Sequence, residues 1–219
     1  GCKVDSGNTL TLAVALQVHD GVVLASDSAL TLYDPTKVAP DNILNVYNHG
    51  NKIFNLVKGL PIGAVFYGAG SFGTAPTPTL IKDLRRRFVG ESPTTAKKWK
   101  LNPKSYTIEE VAVRARAFIF DEQFAPLNIS GVGTQFGLLV AGYSHDAQLS
   151  EVWTFEIRDG KCDPVALAIG QGVATWRAGG DPDLVCRMGN GVSSSAFKAM
   201  IDAGIPASDA SKALLSIQS

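Results

Sequence analysis

The sequence predicts a single α+β domain in which helices pack outside two stacked β-sheets. Its 219 residues, 45% of them hydrophobic, are enough to bury one sizeable core. The predicted elements are grouped along the chain as four strands, two helices, three strands and two helices, an order typical of α+β folds. Neither an internal repeat nor a low-complexity linker divides the chain.

The first two predicted strands form a hairpin. Residues 9–18 are mostly small and branched apolar residues, which favour a strand, and the tripeptide HDG that follows is a hairpin turn signal. Residues 22–27 are expected to return antiparallel to the first strand. This second strand ends on the carboxylate of Asp27, between two serines.

A loop and two further strands are predicted next. Residues 31–50 contain two prolines and several Asn and Asp residues, a composition that indicates a loop. Residues 52–57 alternate as a strand does, and residues 62–68 predict the strand after it. The first seventy residues are therefore expected to form four consecutive antiparallel strands.

Two helices are predicted in the middle of the chain. Residues 78–88 carry apolar side chains at helical spacing, and residues 90–104, polar and with two prolines, predict a surface loop. Thr107 and Glu110 have the spacing of a capping box at the start of the second helix. The apolar residues that share one face of this helix are Val111, Ala115, Phe118 and Ile119.

The last part of the sequence returns to strands and then to helices. Strands are predicted over residues 136–143, 151–157 and 165–169. Residues 192–219 predict two helices, which the sequence Gly-Ile-Pro at 204–206 separates.

The overall composition argues against several classes of function. Lysine plus arginine equals aspartate plus glutamate at 20 each, so no net field attracts nucleic acid or an anionic membrane. No apolar stretch approaches the ~18 residues that a membrane span needs, and the polar start does not predict a signal peptide. The three cysteines indicate neither a disulfide framework nor a zinc site, so we expect a cytoplasmic protein without metal or cofactor.

The carboxylate of Asp27 needs a partner, because an unpaired buried carboxylate is costly. In the predicted hairpin, Thr11 at the start of the first strand lies near Asp27 at the end of the second. A lysine at the start of the third strand, Lys52, would offset the cost of burying the carboxylate and favour ionisation of a nearby hydroxyl. Gly68, at the end of the fourth strand, would let a backbone N–H approach a developing oxyanion.

These residues lie within four segments that together resemble the β-type subunits of the proteasome and their bacterial ring-forming relatives, the N-terminal threonine hydrolases. The segments are TLAVALQVHDGVVLASDSALT, GNKIFNL, PIGAVFYGAG and FGLLVAGYSHDAQLSEVWTFEIRDG. The resemblance implies a four-layer αββα sandwich, with Thr11 as nucleophile, Asp27 as the acid that holds Lys52, and Gly68 in the oxyanion hole. It also implies substrate contacts, which are Thr31, Leu30, Phe66 and Gly70.

By the same resemblance, the function would be that of a threonine-type peptidase that acts through an ester acyl-enzyme. Residues 1–10 would be a leader whose removal frees the amine of Thr11 to act as the base, and the chain would be inactive while they remain. Residues 11–219 would be the hydrolase domain, without the family's last strands. The implied partners are a peptide or unfolded protein substrate, further copies of the chain in a ring, and an unfoldase.

The sequence departs from the family pattern, and two other functions stay open. Leu10 precedes Thr11 where these enzymes usually have glycine, Ala29 replaces the usual arginine, and Gln171 takes the place of a supporting serine. A non-catalytic ring subunit of the α type would keep the sandwich without a free threonine. A hydrolase of small amides would share the chemistry but differ in its pocket.

Overall fold

The computed structural model describes most of the chain outside its two ends. The described residues are 11–28, 30–33, 43–47, 50–91, 99–128, 135–180, 187, 194–206 and 208–210. The strands are β1 (Leu12–Val18), β2 (Gly21–Ser26), β3 (Leu30–Tyr33), β4 (Ile43–Tyr47), β5 (Ile53–Asn55), β6 (Ile62–Gly68), β7 (Ser71–Phe72), β8 (Ala75–Pro76), β9 (Gln135–Gly142), β10 (Glu151–Arg158), β11 (Lys161–Cys162), β12 (Ala166–Ile169) and β13 (Thr175–Gly180). The helices are α1 (Thr77–Val89), α2 (Ile108–Arg116), which continues in π-helical turns over Ala117–Phe124 and a 3-10 turn over Ala125–Leu127, and α3 (Ser194–Asp202).

Two antiparallel sheets form the centre of the molecule. The small sheet has the strand order β13-β1-β2, and the large sheet has the order β11-β10-β9-β6-β5, with β12 also paired to β10. Two short hairpins, β3 with β4 and β7 with β8, complete the described pairings. The predicted four-strand run is thus divided, because β1 and β2 belong to the small sheet while β5 and β6 belong to the large one.

A first hydrophobic core lies between the two sheets. Ala13 and Ala15 on β1 contact the large sheet through Val65, Tyr67 and Leu139, and all five are almost fully buried. The two alanines are small, so the backbones of the sheets can approach closely.

A second and larger core lies between the large sheet and the helices. It is rich in aromatic rings, and the helical residues that it contains include Leu84 and Phe88 of α1, Val111 of α2, and Phe118 and Phe124 beyond it. Since β6 contributes side chains to both cores, its sequence is an apolar run rather than an alternation. The described residues therefore form a mixed fold of sheet, sheet and helices, and a second helical layer remains an expectation.

Several predicted elements are confirmed. The helix predicted over 78–88 is α1. The strands predicted over 136–143, 151–157 and 165–169 are β9, β10 and β12, respectively. The ends of these four elements differ from the predicted ends by at most one residue. The Thr107 side chain caps α2 by accepting a hydrogen bond from the Glu110 N–H at 3.0 Å. The four residues predicted for one face are all buried: Val111, Ala115, Phe118 and Ile119.

Other expectations are wrong in whole or in part. The loop predicted over 31–50 contains β3 and β4, and the strand predicted over 52–57 is limited to Ile53–Asn55. The surface loop predicted over 90–104 holds in part: Glu91 and residues 102–104 are exposed, but Trp99 and Leu101 are buried at 8% and 3% exposure. Strand β13 was not predicted at all. Residues 9 and 10 of the first predicted strand lie outside the described residues.

No helix among the described residues is both long enough and apolar enough to cross a membrane.

Candidate active site

A buried ion pair joins the end of β2 to the start of β5. The Lys52 Nζ lies 3.0 Å from Asp27 Oδ1 and 2.9 Å from Oδ2. The Lys52 side chain is 1% exposed and the Asp27 side chain 28% exposed. An ammonium removed from water to this extent must be held by an opposite charge, so this pairing accounts for the carboxylate that ends β2.

The same carboxylate also holds the peptide that follows Thr11. The Leu12 N–H donates to Asp27 Oδ1 at 2.7 Å, and the Asp27 N–H donates to the Leu12 carbonyl at 3.2 Å. This mutual pairing continues the hairpin register, in which Ala13 lies opposite Ser26. Thr11 itself is 9% exposed.

The position of Lys52 is determined by the large sheet. Its carbonyl accepts a hydrogen bond from the Phe66 N–H at 3.2 Å, so the lysine extends the pairing of β5 with β6. The structure thereby brings together Lys52 and Asp27 at the peptide bond between Thr11 and Leu12. Asp27 follows β2 of the small sheet and Lys52 precedes β5 of the large sheet, so the ion pair also links the two sheets at this end.

Gly68 ends β6 in a conformation that excludes other residues. Its φ is +87°, and a Cβ there would lie 2.1 Å from the Gln135 carbonyl oxygen. The following Ala69 N–H donates to this same carbonyl at 2.7 Å. The Gly70 carbonyl accepts from the Thr77 N–H at 2.9 Å, which ties the turn after β6 to the start of α1.

The predicted substrate contacts lie in different surroundings. Leu30 and Thr31 belong to β3, where they pair with Tyr47 and Val46 of β4. Phe66 is fully buried, with its ring centroid 6.3 Å from that of Phe54 and 6.0 Å from that of Phe136. In this structure Phe66 is therefore a core residue, and its contact with a substrate stays a prediction.

The turn that contains Gln171 lies at the wrong end of β1 to support Thr11. The Gln17 side-chain amide donates to the Gly170 carbonyl at 2.7 Å and to the Val173 carbonyl at 3.2 Å. Gln17 is close to the far end of β1 from Thr11. Gln171, which the resemblance aligns with a supporting serine, therefore lies in a turn near the end of β1 opposite to Thr11.

A pair of glycines on β13 lies beside Thr11 instead. Gly180 is the register partner of Leu12, and a Cβ on Gly180 would lie 1.7 Å from the Thr11 carbonyl oxygen. Gly179 precedes it and is buried. The signal in the sequence is the dipeptide GG at the end of TWRAGG, which resembles a turn and gave no reason to place it near Thr11.

Tyr67 is a second residue that the sequence analysis missed. It is 1% exposed, precedes Gly68 and donates its hydroxyl to Glu156. Burial, and next the nearby Glu156 carboxylate, raise the pKa of the Tyr67 phenol well above its usual range. Among the described residues, no group of three or more His, Cys, Asp or Glu side chains could hold a metal ion.

Comparisons with known proteins yield only distant likenesses, all of them to solved structures. No family model matches the chain, and no curated protein does so at the significance required. Among solved structures, a helical assembly of the Anbu complex from Pseudomonas aeruginosa matches with a TM-score of 0.46 and 17% sequence identity. The match covers 78% of this chain but only 61% of that chain. A likeness of this size does not establish a shared family.

Proposed function

We propose that the protein is an N-terminal threonine hydrolase in which Thr11 becomes the nucleophile once residues 1–10 have been removed. The observation that supports this most directly is the buried Lys52–Asp27 pair, whose carboxylate also binds the N–H of Leu12. A scaffold has no need to bury a lysine at 1% exposure against the carboxylate that binds this peptide. A nucleophilic hydroxyl does need such a lysine, because a fixed cation nearby favours the ionised form of the hydroxyl.

The proposed reaction uses the amine and the hydroxyl of Thr11 and the backbone N–H of Gly68. The free amine of Thr11 takes the proton of its own hydroxyl, and the oxygen attacks the carbonyl carbon of an amide substrate. The backbone N–H at Gly68 stabilises the oxyanion, which contributes about 3 kcal/mol to lowering the barrier. The protonated amine passes its proton to the leaving amine, and water then hydrolyses the Thr11 ester to release the acid.

The natural substrate is proposed to be a peptide. The β3 strand supports this, because an extended peptide could pair with its backbone, as the role expected for Thr31 requires. A small amide is the second candidate, since a hydrolase of small amides would use the same Thr11 chemistry and differ only in its pocket. Assembly into a homo-oligomeric ring and cooperation with an unfoldase are further parts of the peptidase proposal.

The test is activation of the folded chain at Thr11. A site for a specific protease is placed before Thr11, the full chain is purified, and the leader is then cut away. Hydrolysis of a panel of fluorogenic peptides and of small chromogenic amides is measured before and after cleavage. We expect activity only after cleavage, and Thr11→Ala to lower it on the order of 10⁴-fold.

The outcomes separate the three candidate functions. Turnover of small amides without turnover of peptides favours the amidase. The non-catalytic ring subunit is favoured by two results together. The natural sequence, without the added protease site, keeps residues 1–10 in its intact mass, and the chain with the site shows no turnover after cleavage. Activity that Thr11→Ala leaves unchanged would refute the hydrolase proposal altogether.

A further inference from the structure

Tyr67 crosses the large sheet on the face that contacts β1 and β13. In the sheet register, Tyr67 on β6 lies opposite Gly137 on β9, and Gly137 lies opposite Glu156 on β10. The tyrosine therefore reaches a residue two strands away. It can do so because Gly137 has no side chain: a Cβ there would lie 2.0 Å from the Tyr67 Cζ.

The far end of the ring is anchored by charge. The Tyr67 hydroxyl donates to one carboxylate oxygen of Glu156, and the Arg158 Nε donates to the other at 2.9 Å. The Glu156 side chain is 15% exposed. A hydrogen bond to a charged acceptor is stronger than one between neutral groups, and it restricts the ring to one orientation. The chain Tyr67–Glu156–Arg158 is called the tyrosine brace below.

The edge of the braced ring lies against the backbone of β13. A Cβ on Gly179 would lie 2.0 Å from the Tyr67 Cε1, and a Cβ on Gly180 would lie 3.4 Å from the Tyr67 Cβ. On the other side, that same Gly180 Cβ would lie 1.7 Å from the Thr11 carbonyl oxygen. The end of β13 is thus in close contact with Tyr67 on one side and with Thr11 on the other.

Tyr67 also precedes Gly68 in the chain. Any movement of the Tyr67 ring would therefore act on both Thr11 and Gly68 of the proposed site. It would change the approach of β13 to Thr11, and it would turn the peptide that carries the proposed oxyanion donor. Misplacement of reacting groups by about 1 Å can lower a rate by about a hundredfold. A rigid link between Thr11 and Gly68 would prevent such a loss by keeping the two aligned.

We propose that the tyrosine brace is a positioning device, in which Tyr67 sets the alignment of Thr11 with Gly68 through the end of β13. This inference rests on the proposed hydrolase function and adds a residue to it. Tyr67 does not touch the reacting atoms in this account. Its hydroxyl stays protonated and acts only as a donor to Glu156.

The first test compares Tyr67→Phe with Tyr143→Phe in the chain cleaved at Thr11. Each variant loses one tyrosine hydroxyl, but Tyr143 lies near the hairpin turn at Gly21, at the other end of the two sheets. We expect Tyr67→Phe to lower kcat about tenfold with KM unchanged, and Tyr143→Phe to match the parent. A variant that only weakened the fold would lose active enzyme and regain the parent kcat once active sites are titrated.

The second test needs no activity and uses the uncleaved full chain. Hydrogen exchange of the amides in β13 and at the start of β1 is followed by mass spectrometry. Tyr67→Phe should raise exchange in both segments by about tenfold, while Tyr143→Phe leaves both unchanged. Unchanged exchange in Tyr67→Phe would overturn the brace.

The two tests also separate this inference from the function on which it rests. If Thr11→Ala keeps full activity, the hydrolase proposal is wrong, whatever Tyr67 does. If Thr11→Ala is inactive while Tyr67→Phe retains the parent kcat, the hydrolase stands and the positioning role of Tyr67 is wrong.

Discussion

Replacing Asp27 by asparagine should destabilise the fold strongly, because it leaves the Lys52 ammonium buried without its charge partner. The Lys52 side chain is only 1% exposed, and both Asp27 oxygens lie within 3.0 Å of Nζ. Removing one member of a buried pair costs about 3–5 kcal/mol. At about 2–4 °C per kcal/mol for a domain of this size, the midpoint of thermal unfolding should fall by roughly 6–20 °C.

Two further variants isolate the charge effect. Lys52→Met keeps most of the buried volume and removes the ammonium. The Asp27 carboxylate can then still accept hydrogen bonds from water, because its side chain is 28% exposed, and from the Leu12 N–H. The free energy of unfolding should therefore fall by only about 1–2 kcal/mol. The double variant should resemble Lys52→Met, since the asparagine then faces no buried ammonium, and the coupling energy should therefore equal the cost of Asp27→Asn alone, about 3–5 kcal/mol in magnitude.

The assay is urea unfolding of the uncleaved chain followed by circular dichroism. Asp83→Asn is the matched control, because Asp83 pairs with Arg86 at 3.8 Å on the surface, with the two side chains 47% and 60% exposed. This control should cost less than about 1 kcal/mol. If Asp27→Asn costs no more than the control, the ammonium is not buried against Asp27 and the argument for the site fails.

Three other measurements test the structure around the site and beyond it. Gly68→Ala should lower the free energy of unfolding by more than about 2 kcal/mol, because its Cβ would meet the Gln135 carbonyl at 2.1 Å; an unchanged urea midpoint would contradict the turn. Thr107→Ala should lose about 1 kcal/mol through the missing cap, while Thr107→Ser keeps it, as thermal unfolding would report. Burial raises the pKa of Cys162 to about 11. Its alkylation, read by peptide mass, should therefore accelerate roughly tenfold per pH unit from pH 8 to 10, and a plateau below pH 9 would refute this.

The ion pair could be predicted from the sequence because its geometry depends on a short hairpin. The tripeptide HDG fixes the turn between β1 and β2, and counting back from the turn places Asp27 beside the start of β1. A buried carboxylate at that position favours a cation as its partner, which pointed to Lys52. Local register therefore placed Asp27 beside the start of β1, but it did not place Lys52, because β5 belongs to the other sheet.

Strand β13 and the tyrosine brace could not be predicted in this way, since both depend on distant parts of the chain. The partner of β13 is β1, and Tyr67 meets Glu156 across an intervening strand. The sequence of β13, TWRAGG, contains an arginine and ends in two glycines, which weakens any strand signal. Similarly, Trp99 is buried despite its polar sequence neighbours because it packs in the large core, with its ring centroid 6.3 Å from that of Phe118, and the Arg87 guanidinium lies 5.1 Å from the Trp99 centroid.

The glycines around Tyr67 indicate why this end of the molecule differs from an ordinary sheet interface. A Cβ on Gly68, Gly137, Gly179 or Gly180 would lie within about 2 Å of a neighbouring atom, at 2.1, 2.0, 2.0 and 1.7 Å. Gly68 and Gly180 permit close backbone contact with the neighbouring strand of their own sheet, and Gly137 and Gly179 leave room for the Tyr67 ring, at the same end where Asp27 holds the peptide after Thr11. Distances there depend on backbone atoms and one braced ring, an arrangement suited to holding a reacting group in place.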